Sequence, residues 1–164
     1  MTNKNSIFKK IADMLHEQGF TVINKDDQRP WGGFFVIDEN ESAKFVSQYF
    51  PYEDIDELKI TEKISPKILL VAPQTRLSWQ YHHRRAEIWK CIEGPIAVAT
   101  SYDDNEKEQH LLQPEDIIRL KQGQRHRLIG LDNWGIVAEI WQHTNADDPS
   151  NEDDIVRVQD DFGR

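Results

Sequence analysis

Leu77-Ser-Trp-Gln-Tyr-His-His-Arg-Arg-Ala-Glu-Ile-Trp-Lys-Cys-Ile-Glu-Gly-Pro-Ile-Ala-Val-Ala-Thr-Ser-Tyr102 is the stretch that decides the fold. It reads as three short strands, Leu77 to His82, Glu87 to Ile92 and Ile96 to Tyr102, broken by a polar turn and by Gly94-Pro95. Strand side chains alternate between faces, so Ser78, Gln80 and His82 share one face, and Glu87, Trp89 and Cys91 share one face of the next strand. Downstream, Gln109 to Leu112, Ile117 to Leu120, His126 to Ile129 and Gly135 to Trp141 repeat the pattern between turns at Asp103-Asp104-Asn105, Pro114 and Asp132-Asn133. Upstream, Ile60 to Ile64 and Ile68 to Ala72 are apolar runs bounded by Pro66 and Pro73. Many short strands with regular turns and no helix between them predict a mainly β sandwich or barrel.

The front of the chain follows a different period. Ile7, Ile11 and Leu15 recur at four-residue spacing with Phe8 and Met14 beside them, which predicts an amphipathic helix over Ser6 to Gln18, capped by Ser6 or Asn5 and stopped by Gly19. A short strand is expected over Phe20 to Ile23, a polar turn over Asn24 to Arg29, a strand over Phe34 to Ile37, and a helix over Ser42 to Phe50 ended by Pro51. The expected organisation is a helical and strand extension over 1–28 joined to a barrel over 29–164, within one domain of 164 residues.

Composition narrows the function classes. With 20 Lys+Arg against 29 Asp+Glu, the formal charge of −9 argues against nucleic-acid binding. Ile68-Leu69-Leu70-Val71-Ala72, the longest aliphatic run, is far too short to span a bilayer, and the first residues lack the apolar stretch of a secretory signal. Cys91 is the single cysteine, so no internal disulfide forms and a cytoplasmic setting is expected. Asp147 to Arg164 carries seven acids and two bases, −5 of the −9, whereas Arg119, Lys121, Arg125 and Arg127 cluster with no acid among them. The segments holding the polar candidates are net positive and suit one small anion.

Those candidates are Gln80, His82, Glu87 and His126. Two imidazoles, a carboxylate and an amide oxygen make a mixed N/O set suited to one divalent metal, with zinc expected first and iron or manganese as alternatives. A solvated His-rich turn at His82-His83 is the competing reading. Trp79, Trp89, Trp134 and Trp141 are expected in the core or at subunit contacts, with Trp31 packing the front of the barrel.

Gln80-x-His82-x4-Glu87-x6-Gly94 resembles the first cupin motif, with Gln in place of the first His, and Gly123-x2-His126 resembles the heart of the second. More narrowly, Arg29-Pro-Trp-Gly32, Leu77-Ser-x-Gln80-x-His-His83, Arg85-Ala-Glu87-x-Trp89, His126-Arg-Leu128 and Glu152-Asp-Asp-Ile-Val-Arg157…Asp160-Asp-Phe-Gly-Arg164 resemble, in order, the type II mannose-6-phosphate isomerase family of cupins. The resemblance implies a double-stranded β-barrel (jelly roll), metal ligation by Gln80, His82, Glu87 and His126, and a role for Arg164 near a sugar-phosphate site; a surface ion pair is the other reading of Arg164. Members often carry a nucleotidyltransferase domain upstream, and with only a short helical extension in this sequence, sugar-nucleotide synthesis is not expected. Gln74 and Glu115 stand where the two motifs usually have glycine, Lys121 where the second has proline and Gly130 where it closes on Asn, which suggests reshaped loops. The segment Glu39 to Glu62 exceeds what the family core needs and is a candidate cover for the barrel mouth.

The function expected from the resemblance is a metal-dependent aldose–ketose isomerase acting on a sugar phosphate through a cis-enediol, with a non-catalytic, metal-containing sugar-binding cupin as the alternative. His83 and Glu139 are the candidate bases, and Arg164 is placed with His83 among the catalytic candidates. Arg85, Lys121 and Ser78 are the candidate substrate-binding residues, while Arg119 and Arg125 are expected on outer faces. The substrate is a small anionic sugar, and a homodimer is the expected assembly.

Overall fold

Two antiparallel sheets face each other in the computed structural model, which describes residues 3–164. Residues Lys4–Glu17 form α1, Val22–Arg29 β1, Gly32–Ile37 β2, Ser42–Tyr49 α2 and Ile55–Leu58 α3. Then come β3 (Lys67–Val71), β4 (Trp79–Tyr81), β5 (Arg85–Glu93), β6 (Ile96–Ser101), β7 (Glu108–Leu112), β8 (Ile117–Leu120), β9 (Arg125–Gly130), β10 (Gly135–His143) and β11 (Val156–Gln159). One sheet runs β1-β2-β3-β10-β5-β8 and the other β11-β4-β9-β6-β7. This is the mainly β cupin barrel.

The six-stranded sheet is covered on both faces, which explains why β3 and β10 read as buried, largely apolar runs rather than alternating ones. Its inner face contributes Leu69, Val71, Trp89, Cys91 and Val137 to a core shared with Leu77, Val98 and Leu128 of the other sheet. Its outer face, with Ile68, Leu70, Ile88, Ile136, Ala138 and Ile140, is packed by Ile7, Phe8, Ile11 and Leu15 of α1 and by Phe45, Val46 and Tyr49 of α2. Each large aliphatic buried there contributes roughly 1.5–3 kcal/mol. The segment Glu39 to Glu62 therefore covers the sheet's outer face, not the barrel mouth, because that is where its apolar side chains find a partner.

Four local readings change. The first helix begins at Lys4, with the Asn3 side chain, not Ser6 or Asn5, accepting the Ser6 N–H. Asn24 to Arg29 is strand rather than turn: β1 is an edge strand, mostly exposed, so hydrogen bonding to β2 holds it without apolar alternation. Residues 60–64 form no strand, and the short helix Ile55–Leu58 precedes them. Finally, the acidic tail contains β11, which pairs with β4. Through β1 the residues before 29 join the barrel sheet directly. Gly32 of the Arg-Pro-Trp-Gly turn has φ +140°, and a Cβ there would meet Leu70 O at 1.9 Å, so only glycine fits. No helix among the described residues is long and apolar enough to cross a membrane.

Candidate metal centre

Strand pairing assembles the site. Gln80 of β4 lies opposite His126 of β9, and Glu87 of β5 lies opposite Trp141 of β10. His82 follows β4, and the turn before β9 docks on it through a Gly123 N–H to His82 O bond of 3.1 Å, with Gly123 at φ +78°. His82, Glu87 and His126 are 1–2 % exposed, with one potential ligand atom of each within 4.8 Å of the others.

The polar atoms of this triad are unbalanced in a way a cation corrects. His82 Nδ1 lies 2.7 Å from Asp154 O and His126 Nδ1 lies 3.0 Å from Gln124 O, so in each neutral ring Nδ1 carries the proton and Nε2 presents a lone pair, that of His82 toward an Arg85 N–H at 3.3 Å. His126 Nε2 then faces Glu87 Oε1 at 3.3 Å, acceptor against acceptor, and neither atom has a hydrogen-bond partner although both are buried. His82 Nε2 lies 3.6 Å from Glu87 Oε2. Burial pulls the His82 pKa down to about 3, keeping the ring neutral as a ligand must be. Burial alone would raise the Glu87 pKa, but the Arg85 guanidinium, bonded to Oε2, holds it well below the usual carboxylate range. Gln80 lines the same cavity, and its Oε1 accepts from Ser78 Oγ at 2.7 Å. These residues fit a divalent ion with N/O ligands.

The cavity beside the triad is about 80 Å³ and is walled by Trp31, Phe34, Leu69, Leu77, Trp89 and Trp141. Glu139 also lines it, the single acid in the otherwise apolar run Gly135 to Trp141. The indole N–H of Trp89 donates to Glu139 Oε2 (2.8 Å) and that of Trp141 to Oε1 (2.9 Å). Burial first, and the Glu87 charge second, push the Glu139 pKa up to about 8 against the pull of Lys67 and Arg85. The two indole donors, which bond the charged form better, act in the same sense as those cations. Trp89 and Trp141 are thus wall and positioning groups as well as core.

The remaining candidates separate. Arg164 lines the cavity and pairs with Asp160 (2.8 Å). Arg85 lines it too, but it is buried, bonded to Glu87 Oε2 (2.8 Å), Ser150 Oγ (2.8 Å) and Asn151 O (3.0 Å), and stacked 3.6 Å from the Trp141 ring; it holds Glu87 in place. Ser78 is buried behind Gln80 and does not line the cavity. Neither does His83, which is exposed beside Tyr81 with its backbone N–H on Asp154 Oδ1 (2.9 Å), nor Lys121, whose ammonium lies over Tyr102. Arg119 pairs with Glu53 and Arg125 with Asp104, both away from the cavity. Sequence reading passed over Arg29, Lys67 and Arg157 on the wall and Asp154 behind His82. Lys67 had a signal: alternation places it on the same face as Leu69 and Val71.

With this geometry in hand, the sequence pattern of the mannose-6-phosphate isomerase C-terminal family matches residues 38–160. The chain belongs to that family. Within it, similarity extends to mannose-1-phosphate guanylyltransferase 2 of Escherichia coli O157:H7, 28% identical over 93% of this chain and 26% of that protein. The xanthan biosynthesis protein XanB of Xanthomonas campestris is 30% identical over 71% of this chain and 23% of its own length. The chain thus spans about a quarter of these relatives. In fold it is similar to the capsular polysaccharide assembling protein CapF of Staphylococcus aureus (TM-score 0.58, 10% identity, 83% of this chain and 34% of that one). The same holds for KdgF of Halomonas sp. (TM-score 0.53, 13% identity, 79% and 89%).

Proposed function

We propose that this family member is a metal-dependent aldose–ketose isomerase acting on a sugar phosphate, mannose-6-phosphate isomerase-like, that moves a proton between adjacent carbons through a cis-enediol. The observation that carries the reading is Glu139: a buried carboxyl, held by the Trp89 and Trp141 indole N–H groups, on the wall of the cavity that Glu87 and Gln80 of the candidate metal site also line. A divalent ion held by Gln80, His82, Glu87 and His126, with zinc the first choice, would supply electrophilic stabilisation of the oxyanion that develops as the carbonyl enolises. Glu139 takes the proton from one carbon and returns it to the next, first as base and then as conjugate acid. Trp89 and Trp141 hold the plane of that carboxyl, and the aromatic wall keeps water from the proton in transit. Arg85 fixes Glu87. The name of the family and that of the Escherichia coli relative, both of which mention a mannose phosphate, support this substrate class.

Incubation of metal-loaded protein with mannose 6-phosphate, fructose 6-phosphate and a heptose phosphate in D2O tests the reading. Solvent deuterium should enter the sugar next to the carbonyl, and Glu139→Gln should slow this by about 10²–10⁴-fold. Bound metal with no exchange on any of the three would replace the isomerase by a non-catalytic sugar-binding cupin.

A further inference from the structure

Five cations line the cavity: Arg29, Lys67, Arg85, Arg157 and Arg164. Four are engaged, Arg29 with Asp26 (2.9 Å), Lys67 with Glu152, Arg85 with Glu87 (2.8 Å) and Arg164 with Asp160 (2.8 Å). Arg157 is different. Among the described residues its guanidinium makes no hydrogen bond, no ion pair within 4.0 Å and no ring contact, although it borders the same cavity as the other four.

Its position is set by the sheet. β11 pairs with β4 so that Arg157 lies opposite Gln80, and Gln80 lies opposite His126. Residues paired across strands project to the same side, so Arg157, Gln80 and His126 form one row across the inner face. Arg157 ends that row, exposed at the mouth, about 4.8 Å, one strand spacing, beyond the candidate ligand Gln80. Partial burial first, then the Arg164 and Arg29 charges, lower the Arg157 pKa, against the weaker opposing pull of Asp160 and Glu152. Three guanidiniums bordering one opening repel one another, and among the described residues no acid bonds that of Arg157. An external dianion would relieve that repulsion, and the planar fork of a guanidinium matches phosphate oxygens in pairs.

We propose that Arg157, flanked by Arg29 and Arg164, is the binding site for the phosphate group of the substrate and the residue that selects a phosphorylated sugar over a neutral one. The assignment of that phosphate to a substrate rests on the isomerase reading; the anion site itself does not. The row from His126 to Arg157 places the fork at the far end of a sugar whose reacting carbons lie at the triad. Arg157 falls in the Glu152–Arg157 motif that supported the family resemblance, where composition alone would count it as a solvated base in an acidic tail.

Calorimetric titration of the whole protein with inorganic phosphate, with and without EDTA, tests this. Phosphate should bind in both conditions, Arg157→Gln should raise its Kd at least tenfold, and Arg157→Lys should fall between. Because Arg157 has no partner among the described residues, both variants should keep the wild-type melting temperature. Wild-type affinity in Arg157→Gln, loss of phosphate binding on removing metal, or glucuronate binding as tightly as phosphate would each overturn the proposal. Arg157-dependent phosphate binding without deuterium exchange would uphold the anion site while removing the isomerase.

Discussion

At the scale of single residues, the site depends on which nitrogen of each imidazole carries the proton. A backbone carbonyl decides this for His82 and for His126 alike. For His82 that carbonyl belongs to Asp154, a buried residue whose carboxylate also accepts the His83 N–H (2.9 Å), the Arg84 N–H (3.0 Å) and the Ser150 hydroxyl (2.6 Å). These bonds pin the segment after β10 against the loop that carries His82. Asp154→Ala should therefore weaken metal affinity about 10–100-fold while strand content stays unchanged, as read by competition with a chromophoric chelator and by circular dichroism. Unaltered affinity would mean that the carbonyl holds its place without the side chain. None of this was legible in the sequence, because Asp154 lies 72 residues from His82 and inside an acidic tail.

At the scale of elements, the strands were legible where apolar side chains had to face a core, and illegible where hydrogen bonding alone held them, as in β1 and β11. The candidate ligands were legible for the same reason: Gln80 and Glu87 sit on strands whose alternation fixes their face, and His126 begins a recognisable one. His83 and Lys121 sit in loops, where alternation says nothing about direction. The turns hold a further lesson. Gln74 and Glu115, standing at family glycine positions, adopt φ +56° and +83°. The left-handed turns are thus retained, and the substitutions load the backbone instead of reshaping the loops. A non-glycine residue in that region costs roughly 1–2 kcal/mol, and the Gln74 side chain offsets this only with exposed bonds to Leu131 O and Asp132. Gln74→Gly should raise the melting temperature by about 2–4 °C, equivalent to about 1 kcal/mol, in a thermal scan; a lower value would show those bonds to outweigh the strain.

At the scale of the whole molecule, buried groups set opposing pH slopes in metal-free protein. His143 is fully buried, and burial lowers its pKa from 6.5 to about 4, so the stability it allows above pH 6.5 is lost as pH falls toward 4. Glu139, raised from 4.5 to about 8, contributes stability below pH 4.5 that is lost as pH rises toward 8. His82, lowered to about 3, adds to the His143 slope, so chemical denaturation across pH should show a decline from pH 6.5 to 8 that Glu139→Gln removes and a decline below 6.5, where two histidines outweigh Glu139, that it steepens. The net charge of −9 behaves in the same distributed way, with the acids concentrated in the tail and five cations lining one cavity. The isomerase reading depends on a metal ion bound by His82, Glu87 and His126 beside that cavity. Titration of metal-free protein with zinc, iron(II) and manganese should show one site per chain, filled by at least one of the three, that His126→Ala and Glu87→Gln each abolish. No binding by the wild type, or binding that survives both substitutions, would contradict it.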